Sequence, residues 1–191
     1  MGWLILCAGQ SSRFGSNKLL ARLDNGRILL EQTLDHLVAT GIPVFAVCRQ
    51  DTPEVYEILE RKGLEYGIAP QAQQGMGHSL AWGITQVVSW NWAGIVLADM
   101  PFIDVSTLKR LASVADAGNI ILPEYQEADG LARAGHPVIF GHSFFKAIQT
   151  LQGDRGARSL LERYADSVIR QPVGDAGVLL DIDTPGDIPR E

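Results

Sequence analysis

The chain is predicted to fold as an α/β domain with a mostly parallel sheet covered by helices on both faces. Three observations lead there. Runs of strand length, such as Trp3-Leu4-Ile5-Leu6-Cys7, Val44-Phe45-Ala46-Val47-Cys48 and Ile95-Val96-Leu97-Ala98, are apolar throughout rather than at alternate positions, the mark of strands buried on both sides. Stretches with apolar residues at helical spacing separate them. The two kinds alternate along the chain, as strand–helix–strand crossovers require.

Taken in order, the first strand ends at Cys7 in the small and polar residues Ala8-Gly9-Gln10-Ser11-Ser12. Leu29, Leu30, Thr33, Leu34, Leu37 and Val38 recur with helical period, and Gly41 and Pro43 stop that helix. Strand 44–48 follows. Thr52 is placed to cap a second helix with Pro53 at its first position, Val55, Ile58 and Leu59 on its apolar face and Gly63 at its end. A short strand is expected at 65–68. The segment Gln73-Gln74-Gly75-Met76-Gly77-His78-Ser79-Leu80 reads as a glycine-containing loop leading into a helix through Trp82, Ile84, Val87 and Val88.

The strand 93–98 then runs straight into Asp99-Met100-Pro101. Asp104 or Ser106 can cap a helix through Leu108, Leu111 and Val114. Later strands are expected at 120–122, 138–140 and 178–180, and helices at 143–151 and 157–164. The polar stretch from Glu124 to Gly135 reads as a mobile loop beside the site. No repeat, low-complexity segment or long linker divides the sequence, so one domain over 1–191 is expected.

Bulk properties narrow the function. A net charge of −6 speaks against a nucleic-acid polymer as partner. Yet Arg13, Lys18, Arg22 and Arg27 crowd the N-terminal region, which suggests a small anionic ligand. The two cysteines, Cys7 and Cys48, sit in apolar runs and read as core residues of a reducing compartment. No secretory leader or membrane span is legible, so a cytoplasmic protein without a membrane partner is expected. Nothing has the ligand spacing of a zinc site.

The residues fit for chemistry fall in three places. The first is the loop after the first strand. Gly9 and Gly15 let the backbone bend around an anion, Ser11 and Ser12 can donate hydrogen bonds, and Arg13 and Lys18 supply positive charge. Its spacing matches neither the P-loop nor the dinucleotide-binding pattern. The second is Asp99, at the edge where open α/β sheets bind ligands; it is either a metal ligand or a turn former before Pro101. The third is Asp181-Ile182-Asp183-Thr184-Pro185-Gly186-Asp187. There Asp183 is either a ligand or the cap of a final helix, Asp181 is the weaker candidate, and Asp187 reads as a solvated first-turn residue. Carboxylates facing a polyphosphate suit Mg²⁺, a hard cation that takes a few carboxylates plus phosphate oxygens.

The stretch from Leu6 to Lys18, L-C-A-G-Q-S-S-R-F-G-S-N-K, resembles the L-A-A-G-x-S-x-R-M-G-x-x-K signature of MobA-like nucleotidyltransferases, and more narrowly that of the molybdenum cofactor cytidylyltransferases. Further resemblances follow in order at Gln74–Leu80, Leu97–Pro101, Gly135-His136-Pro137-Val138, Gly153–Arg158 and Asp181–Asp187, covering nearly the whole chain. Phe14 stands where the signature has methionine, and Ala69-Pro70 where relatives often carry Asn-Pro. The resemblance implies a Rossmann-like three-layer α/β/α fold whose mostly parallel sheet contains an antiparallel strand. It also implies Mg²⁺-dependent transfer of CMP from CTP to the terminal phosphate of molybdopterin cofactor, with pyrophosphate released and a molybdoenzyme as downstream client.

Carried onto this chain, the resemblance puts the nucleotide on Ala8, Gly9, Gln10, Ser11, Ser12, Arg13, Lys18, Gln74, Ser79 and Asp99. Arg13 would neutralise the leaving pyrophosphate and Lys18 would meet the α-phosphate. Asp99 and Asp183 would hold Mg²⁺. Ala8 stands where the guanylyltransferase branch has glycine, which favours a cytosine donor. Ser79 and Gln74 are candidates for the pyrimidine edge; otherwise Ser79 caps a helix and Gln74 is solvated. His136, Arg155 and Arg158 are candidates for the acceptor, or else one structural histidine and two surface ion pairs. His36 and His142 read as helix-surface residues, and Trp82, Trp90 and Trp92 as packing. GTP, or a sugar or polyol phosphate acceptor, is the alternative within the same chemistry. A cofactor-insertion chaperone is the alternative outside it, but such a protein needs no pair of acids.

Overall fold

The computed structural model describes residues 1–9, 17–153 and 156–187. Among them, eight strands form one sheet: β1 (Gly2–Leu6), β2 (Val44–Cys48), β3 (Glu65–Ile68), β4 (Trp92–Leu97), β5 (Ile120–Gln126), β6 (Ala132–Ala134), β7 (Val138–Gly141) and β8 (Val168–Val173). Their order is β3-β2-β1-β4-β7-β5, with β6 and β8 both paired to β5. The pairs β1–β2, β2–β3, β1–β4 and β5–β8 are parallel, while β7 runs antiparallel to both β4 and β5. A strand has two edges. β8 occupies one edge of β5 from Ile120 to Tyr125, so β6 and β7 share the other.

The apolar periodicity accounts for the layers. Along β1, alternate side chains enter opposite cores. Trp3 and Ile5 pack with Leu30 and Leu34 of α1 (Leu29–Val38), Ile58 of α2 (Pro53–Arg61) and Leu111 of α4 (Val105–Ser113). Leu4 and Leu6 pack on the other face with Leu80 and Ile84 of α3 (Met76–Gln86), Ile148 of α5 (Phe145–Ile148) and Leu160 of α6 (Arg158–Arg163). The expected helices on both sides are therefore present. The tryptophans pack as expected too. Trp3 meets Trp92 edge to face at 5.6 Å, and the Trp82 and Trp90 rings lie over Gly67 and Gly2. Cys7 and Cys48 are buried core thiols, and hydrogen bonding to Cys48 together with burial pushes the Cys7 thiol well up.

Several elements differ from the sequence expectation. The strand expected at 178–180 is a 3-10 turn, Ala176–Leu179. Gly177 there lies so close to the Phe102 carbonyl that a Cβ would stand 2.2 Å from its oxygen, and the Asp175 carboxylate accepts the Gly177 N–H at 2.8 Å. The last strand is instead β8, whose exposed Ile169 and Arg170 break the apolar run expected of a buried strand. The stretch from Glu124 to Gly135 is a hairpin rather than a loop. β5 and β6 pair across it, Gly130 turns it at φ 83°, and an Arg133–Glu127 ion pair at 2.8 Å joins its two arms near the turn. The helix expected at 143–151 contracts to α5 behind a 3-10 turn at His142–Phe144.

Thr52 does not cap α2 with its side chain; its hydroxyl donates to the Arg49 carbonyl at 3.1 Å. His36, half-buried on α1, and His142, exposed in the 3-10 turn, are each tied to a carbonyl, those of Ile103 at 2.9 Å and Trp90 at 3.0 Å.

Candidate active site

The site grows from the pairing of β1 with β4. Leu6 and Leu97 are in register, so both chains leave the sheet at the same carboxyl-terminal edge. One continues through Cys7 and Ala8 to Gly9, the other through Ala98 to Asp99, with the Ala98 N–H donating to the Leu6 carbonyl at 3.4 Å. The Ile182 N–H donates to the Asp99 carbonyl at 3.0 Å, which lays the 181–183 segment across the same edge. Two carboxylates far apart in sequence thus share one side of the cleft.

Lys18 is aimed between them. It opens a short 3-10 turn, Lys18–Leu20, that Asn17 caps by accepting the Leu19 N–H at 3.2 Å. The Lys18 Nζ lies 2.5 Å from Asp99 Oδ2 and 2.9 Å from Asp183 Oδ1. Its side chain is 12% exposed, that of Asp99 15% and that of Asp183 49%. Burial is the largest single influence on the ammonium and works against it, but the two carboxylates together outweigh it and raise the Lys18 pKa. The other Asp99 oxygen, Oδ1, is buried with no hydrogen-bond partner.

Asp187, expected to be merely solvated, organises the turn that carries Asp183. Its Oδ2 accepts the N–H groups of Asp183 at 3.0 Å and Thr184 at 2.6 Å, and the Thr184 hydroxyl at 3.0 Å. The Thr184 bonds come first in holding its carboxyl below the ordinary carboxylate value. Among the described residues, the helix that Thr184-Pro185 could open is present as the 3-10 turn Pro185–Asp187. The signal was present in the D-T-P-G-D string, where an acid four residues on can reach back to the turn.

Two clefts meet at this edge. The first, about 630 Å³, is lined by Ala8, Gly9, Gln74 and Ser79 together with Lys18, Asp99, Asp181 and Asp183. Ala8 is buried within the apolar cluster under α3. Gln74 closes the 3-10 turn Ala72–Gln74 and is exposed. Ser79 lies inside α3, behind the Gly75 cap, so it does not cap the helix. It is 2% exposed, and its Oγ has no partner. The second cleft, about 480 Å³, is mostly apolar, with Leu80, Leu122 and Phe140 beside His136, Arg133 and Arg158. Leu6, Met76 and Leu97 line both.

His136 donates its backbone N–H to the Val178 carbonyl at 2.8 Å, and its Nδ1 is buried without a partner. Burial lowers its pKa against the opposing pull of Asp99 and Asp181. Arg133 of the hairpin reaches this cleft as well; flanked by Leu131, Ala132, Ala134 and Gly135, it carries no motif by which sequence could flag it.

The structure therefore brings Ala8, Gly9, Lys18, Gln74, Ser79, Asp99 and Asp183 together at the first cleft, and His136 and Arg158 at the second. Gln10, Ser11, Ser12, Arg13 and Arg155 lie outside the described residues. Among the described residues no three carboxylate, imidazole or thiolate groups converge as a ready metal cage. A divalent ion here would rest on Asp99 and Asp183 and take its remaining oxygens from a ligand. The orphaned Asp99 Oδ1 suits that arrangement. No helix among the described residues is long and apolar enough to cross a membrane.

The chain has relatives among known proteins. Residues 3–168 match the model of the MobA-like NTP transferase domain. The purine catabolism protein PucB of Bacillus subtilis (strain 168) is 30% identical over 195 residues, covering 95% of this chain and 91% of that one. Nicotine blue oxidoreductase of Paenarthrobacter nicotinovorans is 26% identical over 193 residues, with 95% and 91% covered. Among solved structures, Rv0371c of Mycobacterium tuberculosis H37Rv superposes with a TM-score of 0.83 at 27% identity, over 97% of this chain and 93% of that one. The same protein in complex with manganese gives 0.79 at 26% identity, over 97% and 94%.

Proposed function

The chain belongs to the family of MobA-like NTP transferase domains, and from that premise we propose that it transfers CMP from CTP to the terminal phosphate of molybdopterin cofactor and releases pyrophosphate, with Mg²⁺ as cofactor. The observation that carries the reading is the Lys18 ammonium between Asp99 and Asp183 at the carboxyl edge of β1 and β4.

The reaction asks little covalent chemistry of the protein. An oxygen of the acceptor phosphate attacks the α-phosphorus of the nucleotide, the bond from that phosphorus to the bridging oxygen breaks, and pyrophosphate leaves. A phosphate monoester is largely dianionic at neutral pH, so no side chain has to take a proton from it. What remains is alignment and charge stabilisation. Mg²⁺ held by Asp99 and Asp183 would supply charge neutralisation to the triphosphate, and the manganese complex of Rv0371c supports a divalent ion in this fold. Lys18 meets the α-phosphate, where negative charge builds as the acceptor arrives. The apolar second cleft takes the body of the acceptor and excludes water. Arg158 faces its phosphate, and the unpartnered Nδ1 of His136 provides one polar anchor.

CTP is favoured by Ala8, which lines the first cleft and whose methyl group would take room that a purine needs. Ser79, with its buried and unpartnered hydroxyl, is the candidate for the pyrimidine edge. The test is pyrophosphate release with CTP against GTP, with and without molybdopterin cofactor, in Mg²⁺. Release that needs both CTP and the cofactor is expected. Release with GTP, or with a sugar or polyol phosphate instead, reassigns the substrates; tight nucleotide binding with no release under any pairing favours a cofactor-insertion role.

A further inference from the structure

The position Lys18 takes in the structure is incompatible with a metal ion on the same two carboxylates. In the proposed reaction its ammonium meets a phosphate oxygen, while Asp99 and Asp183 hold a divalent cation. In the structure the ammonium itself stands between those carboxylates, 2.5 Å from Asp99 Oδ2 and 2.9 Å from Asp183 Oδ1. A cation bound by the same oxygens would face a positive charge at van der Waals range, in a cleft where Lys18 and Asp99 are both largely shielded from water. Either the ammonium or the metal can occupy that position, but not both.

We infer that Lys18 is a resident counter-ion, which neutralises Asp99 and Asp183 in the nucleotide-free protein and keeps divalent metal out until a nucleoside triphosphate draws it away. The inference rests on the transferase reading proposed above. The ammonium reaches Asp99 through Oδ2 and leaves the buried Asp99 Oδ1 without a hydrogen-bond partner. The latch is therefore strong enough to hold but open to a better partner. A triphosphate is such a partner for Lys18, being multiply charged and rich in acceptor oxygens. Once the ammonium has turned to it, both carboxylates face a ligand that carries its own metal. Metal and nucleotide thus enter together, and metal alone does not load the site.

The probe is Mn²⁺ titrated against the full chain without nucleotide, with bound and free ion separated by electron paramagnetic resonance. Lys18→Gln removes the charge, and Lys18→Met does so while keeping an apolar stem; thermal melting confirms that each variant is folded. Both are expected to bind Mn²⁺ at least about tenfold more tightly than the wild type, the scale of losing one opposed charge at a shielded site. Adding Asp99→Asn to Lys18→Gln is expected to abolish the gain, which ties it to this cluster. Equal affinity in wild type and variants, or tighter binding by the wild type, overturns the inference. Pyrophosphate release by the wild type is measured alongside. If it occurs while the variants show no gain, only the latch fails; if the wild type neither turns over nor binds Mn²⁺ with CTP present, the transferase reading fails with it.

Discussion

The carboxylate of Asp187 accepts the backbone N–H of Asp183 at 3.0 Å and holds the turn on which Asp183 faces Lys18. One acid thus positions another. Replacing Asp187 with alanine removes that bond and the two to Thr184, and it should loosen Asp183 without touching substrate. If Asp183 holds Mg²⁺ as proposed, the Mg²⁺ concentration for half-maximal activity is expected to rise about tenfold, at the low end for the partner of a metal ligand because Asp187 is solvent-exposed, with a smaller effect on kcat. Asp187→Asn, which keeps one accepting oxygen, should recover part of the loss. An unchanged Mg²⁺ dependence would remove the positioning role. The sign with pH follows from its depressed carboxyl: the contribution is present at neutral pH and is lost as the pH falls through its native value.

Lys18→Ala is expected to lower kcat by about 10²–10³-fold, by analogy with the loss of one charge-stabilising donor at a transition state. The fold should persist, since the side chain lines a cleft rather than a core. Steady-state pyrophosphate release reads the effect, and turnover equal to wild type would sink the assignment.

His136 gives stability a pH dependence. Burial holds its imidazole below the ordinary value of 6.5, so the unfolded chain binds the proton more readily than the native one. Stability should then fall as the pH drops below about 6.5, by at most about 1.4 kcal/mol per pH unit, until the native value is passed. His136→Gln should flatten this part of the profile. Thermal midpoints of both proteins at about pH 7.5 and about pH 5.5 test it; parallel profiles would contradict the burial argument.

Gly94→Ala should destabilise the sheet where β1 meets β4. A Cβ there would stand 2.3 Å from the Trp3 ring, which is fully buried and anchored by donating its indole N–H to Thr40 Oγ1 at 3.0 Å. A cost of about 1–3 kcal/mol is expected in urea unfolding, typical of overpacking. A neutral effect would mean that the indole can shift.

Much of the fold was legible because burial leaves a local record. The wholly apolar runs at 3–7, 44–48 and 95–98 and the helical spacing from Leu29 to Val38 each report which faces are covered, and those elements lie where the pattern puts them. Elements with weak patterns were not legible. β8 carries exposed Ile169 and Arg170, and the β5–β6 hairpin is polar because it stands at the margin of the sheet. The apolar triplet at 178–180 misled for the opposite reason. It is partly buried by packing against the 102 region, with Gly177 pressed onto the Phe102 carbonyl, and not by joining the sheet.

By itself the sequence determined the layers, the membership of the family and the residue types the chemistry needs, since these reside in local pattern and motif. Only the tertiary structure decided that Lys18, Asp99 and Asp183 meet at one point and that Asp187 holds the last of them. That meeting depends on β4 lying beside β1 in register and on the Ile182 N–H crossing to Asp99. Pairings between distant segments are set by how the whole chain buries its apolar faces, and no local window of residues contains them.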